Sequence, residues 1–310
     1  MSNSTASLRR KIDNAVDLQS VVRTMKALAA SSIGQYEQSV RALSDYYRTV
    51  ELGLCVCLGK IEPKFPRSRQ TLKSTPRTIG AIVFGSDQGL VGQFNEDVSD
   101  FAKKTLQAMP GNLQVWAVGE RVYSHLADAD LHLKGLFPVP NSVKAITPLI
   151  GQILMESETL HSASVRPSPD QEETTELYLF YNRPIDGAIY EPVSQRLLPL
   201  DDNWQRELGE LPWPTRNLPE VIGGGTTTLR ALIREYLFVS LFRACAESLA
   251  SENASRLAAM ERADTNINKL LENFNATFHQ LRQTEIDEEL FDVISGYEAL
   301  SKEKGHQSSV

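Results

Sequence analysis

Proline is missing from both ends of this 310-residue chain: none precedes Pro63, none follows Pro219, and all fifteen lie between those positions. Proline removes a helical hydrogen bond and clashes with the turn before it, so two long proline-free ends are open to continuous helix. Long apolar runs are also absent. The longest, LGLCVCLG at 52–59, is far below the roughly 20 residues of a spanning helix, which argues against a membrane-spanning protein. There is no surplus of positive charge, because 32 lysines and arginines face 39 aspartates and glutamates for a net charge of −7. A broadly basic nucleic-acid binder is therefore disfavoured. Three cysteines, two of them in Cys55-x-Cys57, are too few for a disulfide framework or an all-cysteine zinc site, and suggest a reducing compartment. The start, MSNSTASLRRKID, has no apolar block of the secretory type.

In the first proline-free stretch, steps of four and three connect Leu8, Ile12, Ala15, Gln19, Val22, Lys26, Ala29, Ile33, Tyr36, Val40, Leu43, Tyr47, Val50 and Leu54. This heptad seam predicts a coiled-coil helix over 1–60, with Ser4, Thr5 or Ser7 as its cap. The last stretch carries a matching seam through Leu229, Leu232, Tyr236, Val239, Arg243, Ala246, Ala250, Asn253, Leu257, Met260, Asp264, Ile267, Leu271, Phe274, Phe278 and Leu281. It predicts a second helix over 226–300, capped by one of Thr226 to Thr228 after the hinge Gly223-Gly224-Gly225, with a tail at 301–310. Small residues dominate 244–259 and permit a close helix approach. At 1.5 Å per residue the helices span about 80 and about 110 Å, so an antiparallel pair leaves the second overhanging by roughly 30 Å.

Between them, 77–200 alternates strand and helix patterns. TIGAIVFG (78–85), LQVWAVG (113–119), LHLKGLF (131–137) and ELYLFYN (176–182) read as buried strands, and 95–109 and 142–157 as helices. The expected fold is α/β: a long antiparallel coiled coil of the N- and C-terminal helices plus a central Rossmann-like α/β domain. Residues 62–76 and 201–219, rich in proline and charge, read as linkers, and 201–225 as the loop leading to the last helix.

Few residues suggest chemistry. GSDQGLVGQFN (85–95) follows a strand and precedes a helix, as phosphate loops do, but matches neither the dinucleotide nor the P-loop spacing and has no lysine. A tight strand-to-helix turn explains it more simply. His125, His132, His161, His279 and His306 form no metal-ligand pair spacing, Cys55 and Cys57 face different sides of a helix, and no nucleophile elbow occurs. No catalytic residue, cofactor site or metal site is expected. Charge is more telling: Arg9, Arg10, Lys11, Arg23 and Lys26 make the first helix basic near its start, whereas Glu285, Asp287, Glu288, Glu289 and Asp292 make the end of the last helix acidic.

LASENASRLAAMERADTN (249–266), RQTEIDEELFDVISG (282–296), LRRKI (8–12) with VVRTMKALAASS (21–32), and GSDQGLVGQFN resemble, in order, motifs of the gamma subunit of F-type ATP synthases. The resemblance implies a non-catalytic rotor in the central stalk, coupling ion flow through a membrane ring to ATP synthesis or hydrolysis in a hexamer of alpha and beta subunits. It implies the alpha and beta subunits, the epsilon subunit and the membrane c-ring as partners, no nucleic acid, and a peripheral place on the cytoplasmic side of the bacterial inner membrane. By position it implies that Arg9, Lys11, Met25, Lys26, Arg282, Gln283 and Glu289 face the alpha/beta hexamer, with Met25 near an acidic lever of the beta subunit. Asp287, Tyr297, Ser32 and Val91 depart from the family pattern and suggest a divergent type, alternate or sodium-linked. The competing readings are a coiled-coil scaffold without a rotary role, and a nucleotide-dependent enzyme built on Gly85, Gly89 and Gly92.

Overall fold

The computed structural model describes residues 4–60, 77–128, 131–163, 174–186, 188–200, 213–217, 219–221 and 224–307. The expected linker at 62–76 and most of the one at 201–219 lie outside them. Compactness divides the chain into two units, Met1–Leu28 with Ala258–Val310, and Ala29–Leu257.

Both proline-free ends are helical: α1 covers Thr5–Lys60, and the last helix, α5, covers Gly225–Gln307. Ser4 caps α1 by accepting the Ser7 amide on its hydroxyl at 3.3 Å. The expected threonine cap of α5 is not used. Gly224, at φ +98, reverses the chain, and its carbonyl accepts both the Thr228 amide and the Thr228 hydroxyl, so Thr226 to Thr228 fall within the first turn. Every α1 seam position is buried or half-buried, whereas the α5 seam breaks at Arg243, whose side chain points outward to pair with Glu247.

The Ala29–Leu257 unit is built on a five-stranded sheet in the order β3-β2-β1-β4-β5. Its strands are β1 (Arg77–Phe84), β2 (Asn112–Val118), β3 (Leu133–Phe137), β4 (Thr174–Ile185) and β5 (Ala188–Leu198). The first four run parallel and β5 returns antiparallel beside β4. The helices are α2 (Phe94–Gln107), α3 (Glu120–Ala127) and α4 (Val143–Ala163). A parallel sheet is covered on both faces, which explains why β1 and β2 read as continuous apolar runs. On one face Val98, Ala102 and Leu106 of α2 and Val122 and Leu126 of α3 meet Ile79, Ala81, Val83, Val115 and Ala117. On the other, Ile146, Ile150 and Ile153 of α4 and Leu241, Cys245 and Leu249 of α5 meet Ile82, Phe84, Leu177 and Leu179, with Tyr36 of α1 in the same cluster.

Two elements were not expected from sequence. Helix α3 has only eight residues, too short for its periodicity to stand out. Strand β5 contains Pro192, which demotes a run to non-strand or edge; it is an edge, with Pro192 opposite Asn182. The small residues of 244–251 are buried on every side. They admit not only a neighbouring helix but also the sheet, because α5 joins the layer beneath β1 and β4.

Candidate functional site

In the unit formed by Met1–Leu28 and Ala258–Val310, α1 and α5 pair antiparallel. Thr5 donates to Glu285, Gln19 donates to Asn268 and Asp264, Arg23 approaches Asp264 at 3.7 Å, and Lys26 lies 3.3 Å from Glu261. Val22, Met260 and Ile267 form the apolar interior, flanked by Ala15, Met25 and Leu271. Two polar exceptions in the seams, Gln19 and Asp264, thus satisfy each other. Such a pair sets register, since a slipped pairing would bury both without partners.

The seven positions carried by the resemblance do not form one cluster. Arg9 and Lys11 are exposed on α1, and Arg282 and Gln283 are exposed on α5, all within a few turns of the Thr5–Glu285 contact. Met25 and Lys26 lie about 24 Å further along α1, sixteen or so residues at 1.5 Å each. Met25 is half-buried in the interior, while Lys26 is half-buried and Glu261 is more than half exposed, and their pair adds at most about 1 kcal/mol. Glu289 is exposed in the part of α5 beyond Glu285.

What sequence reading overlooked is a second apolar stripe on α1. Leu18, Val21 and Leu28 are more than half exposed and lie three and seven residues apart, along one flank of the buried seam, with half-buried Met25 completing the spacing. Ile286, Leu290, Phe291, Val293 and Ile294 of α5 are likewise exposed, among the acidic residues 285–292. The 3-4-3 spacing of the α1 stripe was present in the sequence, beside the stronger seam. Contiguous exposed apolar surface on a helix marks an interaction face.

The 85–95 loop is folded inward. The Ser86 amide donates to Asn95 Oδ1 at 2.9 Å, Asn95 Nδ2 donates to Ser86 Oγ at 2.9 Å, and the Gly85 amide donates to the Val118 carbonyl. Asp87 accepts the Glu120 amide on one oxygen and the Val139 amide on the other, tying the ends of β1, β2 and β3 together. Asn182 donates to the Phe94 carbonyl from β4, and Ser255 of α5 donates to the Val91 carbonyl. A Cβ on Gly85 would lie 2.4 Å from that of Val122, so this glycine serves close packing. Glu96 and Asp97 in the first turn of α2 place negative charge where a phosphate would sit. The loop's polar groups are spent on bracing the sheet, which is the tight-turn reading.

Beside the loop, Glu252 is buried and paired with Arg256 at 2.7 Å. Burial pushes its carboxyl above the usual range, Asp87 adds to this, and Arg256 pulls the other way. Burial likewise raises the Cys245 thiol, and Cys57 packs among Val50 and Leu54, so these cysteines behave as small apolar residues. His125 lies 3.7 Å from Glu96 on the surface of α2 and α3. Among the described residues no three His, Cys, Asp or Glu side chains converge to hold a metal, and no helix is long and apolar enough to cross a membrane.

A family model described as ATP synthase matches residues 4–300. The chain belongs to the ATP synthase family. This family member is 23% identical to the ATP synthase gamma chain of Nitrosomonas eutropha and 25% identical to that of Cupriavidus necator, each alignment covering 96% of this chain and 99% of the relative. Its fold is also that of a chain in the rotor of the Euglena gracilis mitochondrial ATP synthase, with a TM-score of 0.59 at 14% identity over 91% of this chain and 98% of the other. A second Euglena gracilis structure, of OSCP, F1 and the c-ring, contains a chain matching with a TM-score of 0.61 at 15% identity, covering 97% and 95%. The ATP synthase fold and the motif order in this chain therefore agree across nearly its whole length.

Proposed function

We propose that this chain is the gamma subunit of an ATP synthase, the central-stalk rotor that couples ion flow through a membrane ring to ATP synthesis or hydrolysis. The observation that carries this reading is the match to the ATP synthase family over residues 4–300, supported by relatives named as gamma chains along their full length. The exposed apolar stripes of the Met1–Leu28 and Ala258–Val310 unit support the same role, because a shaft within a ring of partners needs apolar surface that slides without fixed bonds.

In this reading the chain is itself non-catalytic. Its partners are the alpha and beta subunits, the epsilon subunit and the c-ring, and it sits peripherally on the cytoplasmic side of the bacterial inner membrane. Arg9, Lys11, Met25, Lys26, Arg282, Gln283 and Glu289 face the alpha/beta hexamer, Met25 and Lys26 at one level and Arg9, Lys11, Arg282 and Gln283 at another. Affinity purification from native membranes, followed by mass spectrometry and an ATPase assay, tests the proposal. Recovery of a single copy with alpha, beta and ring subunits is the expected result; recovery alone or with unrelated partners overturns it.

A further inference from the structure

The Ala29–Leu257 unit poses a mechanical question that its apolar packing leaves open. Where α5 crosses beneath the sheet it presents Ala244, Cys245, Ala246, Ser248, Ala250 and Ser251, all buried and all small. Leu241, Phe242 and Leu249 pack among them in the same cluster, but apolar contact is non-directional.

Hydrogen bonds add the direction that apolar contact does not have. Ser255, 4% exposed, donates its hydroxyl to the backbone carbonyl of Val91, which is itself 2% exposed in the 85–95 loop. Next to it, Glu252 accepts from Arg256 one turn on, a nearly buried pair within α5 itself. The loop that receives Ser255 is held from every side: Asp87 by the Glu120 and Val139 amides, Ser86 by Asn95, and Phe94 by Asn182 of β4. It even holds Leu90 at φ +64, a left-handed conformation that a branched side chain does not choose unaided. At the carboxyl end of β1, beside the point where the strand order turns, α5 reaches the loop through Ser255.

We propose that the Ser255 hydroxyl is a torsional key: it fixes the rotational register of α5 against the 85–95 loop, so that twist passes between the sheet and the helix without slipping. The inference rests on the rotor reading, and Ser255 is a positioning residue within it. A net hydrogen bond of ordinary strength changes the population of the keyed register by about three- to tenfold.

The test uses the assembled complex with the full chain. Ser255→Ala removes the hydroxyl with little change of volume, and Val91→Ala removes packing at the same point while leaving the carbonyl in place. Two readouts are needed: ions pumped per ATP hydrolysed in vesicles, and the angular spread of a bead attached to α2 while the complex is stalled. Ser255→Ala is expected to keep hydrolysis, to lower the pumping ratio by about threefold or more, and to widen the angular distribution. Val91→Ala is expected to leave both readouts near the parent values. Normal coupling and spread in Ser255→Ala overturn the key, as does an equal loss in both variants, which would assign the effect to packing. Failure of Ser255→Ala to assemble also overturns it, because the hydroxyl would then be a folding determinant. Failure of the purified complex to contain alpha and beta subunits would instead sink the rotor reading itself.

Discussion

Single side chains decide local outcomes through burial and charge. Met25 packs beside Val22 and Met260, and Lys26 stands next to it, so Met25→Lys places a second cation at a half-buried position. The helix pair should lose about 1–3 kcal/mol of stability, and ATP-driven pumping should fall more than hydrolysis does. Pumping and hydrolysis measured together in vesicles check this, and parent values in both would remove Met25 from the hexamer contact. Glu252 gives a pH prediction. Burial, with Asp87 adding to it, raises its folded value above the ordinary 4.5, so the stability it contributes is fully present below that value and is lost as pH rises through the folded one. Glu252→Gln, which carries no charge, should therefore gain on the parent as pH rises from about 4 to about 8. Urea midpoints of both chains across that range measure the gap, and a gap that moves the other way refutes the assignment.

At the scale of elements, the strand-to-helix connections are the least tolerant part of the fold. Gly119, between β2 and α3, has φ +115, and a Cβ there would meet the Ser86 backbone at 2.8 Å. Gly119→Ala should destabilise by about 2–4 kcal/mol, because backbone atoms rather than a flexible side chain stand in the way. Leu90, two residues before the left-handed Gly92 in the 85–95 loop between β1 and α2, carries a smaller strain with its side chain in solvent. Leu90→Gly should stabilise by up to about 1 kcal/mol, and chemical unfolding of the two variants gives opposite signs. The two terminal helices were legible in advance because proline is excluded from the ends and the seams run in heptads. Strand β5 was not, because Pro192 is compatible with an edge strand only once its neighbours are known.

For the molecule as a whole, the 85–95 loop carries no lysine, and Glu96 and Asp97 follow it in the first turn of α2. In the rotor reading the purified chain alone is expected to hydrolyse no ATP, since the sequence carries no Walker lysine motif. A phosphate-release assay with and without added alpha and beta subunits checks this; turnover by the chain alone, abolished by its own mutation, would restore the nucleotide-enzyme reading. Of the candidate surface, the basic and acidic ends of the helices were readable as charge runs. The exposed stripe through Leu18, Val21 and Leu28 was not separated from the seam beside it, because two apolar faces on one helix differ only by a rotation that sequence spacing alone does not assign.

The sequence by itself determined what depends on near neighbours along the chain: helix where proline is excluded and heptads persist, strand where apolar runs are short and bounded by turns, and family where motifs recur in order. Only the tertiary structure decided which distant groups meet. That Gln19 answers Asp264, that Asp87 gathers the Glu120 and Val139 amides, and that Ser255 closes on the Val91 carbonyl are consequences of sheet order and helix register. Directional bonds between residues far apart in the chain leave no period in it, and so they become visible only when packing brings donor and acceptor within about 3 Å.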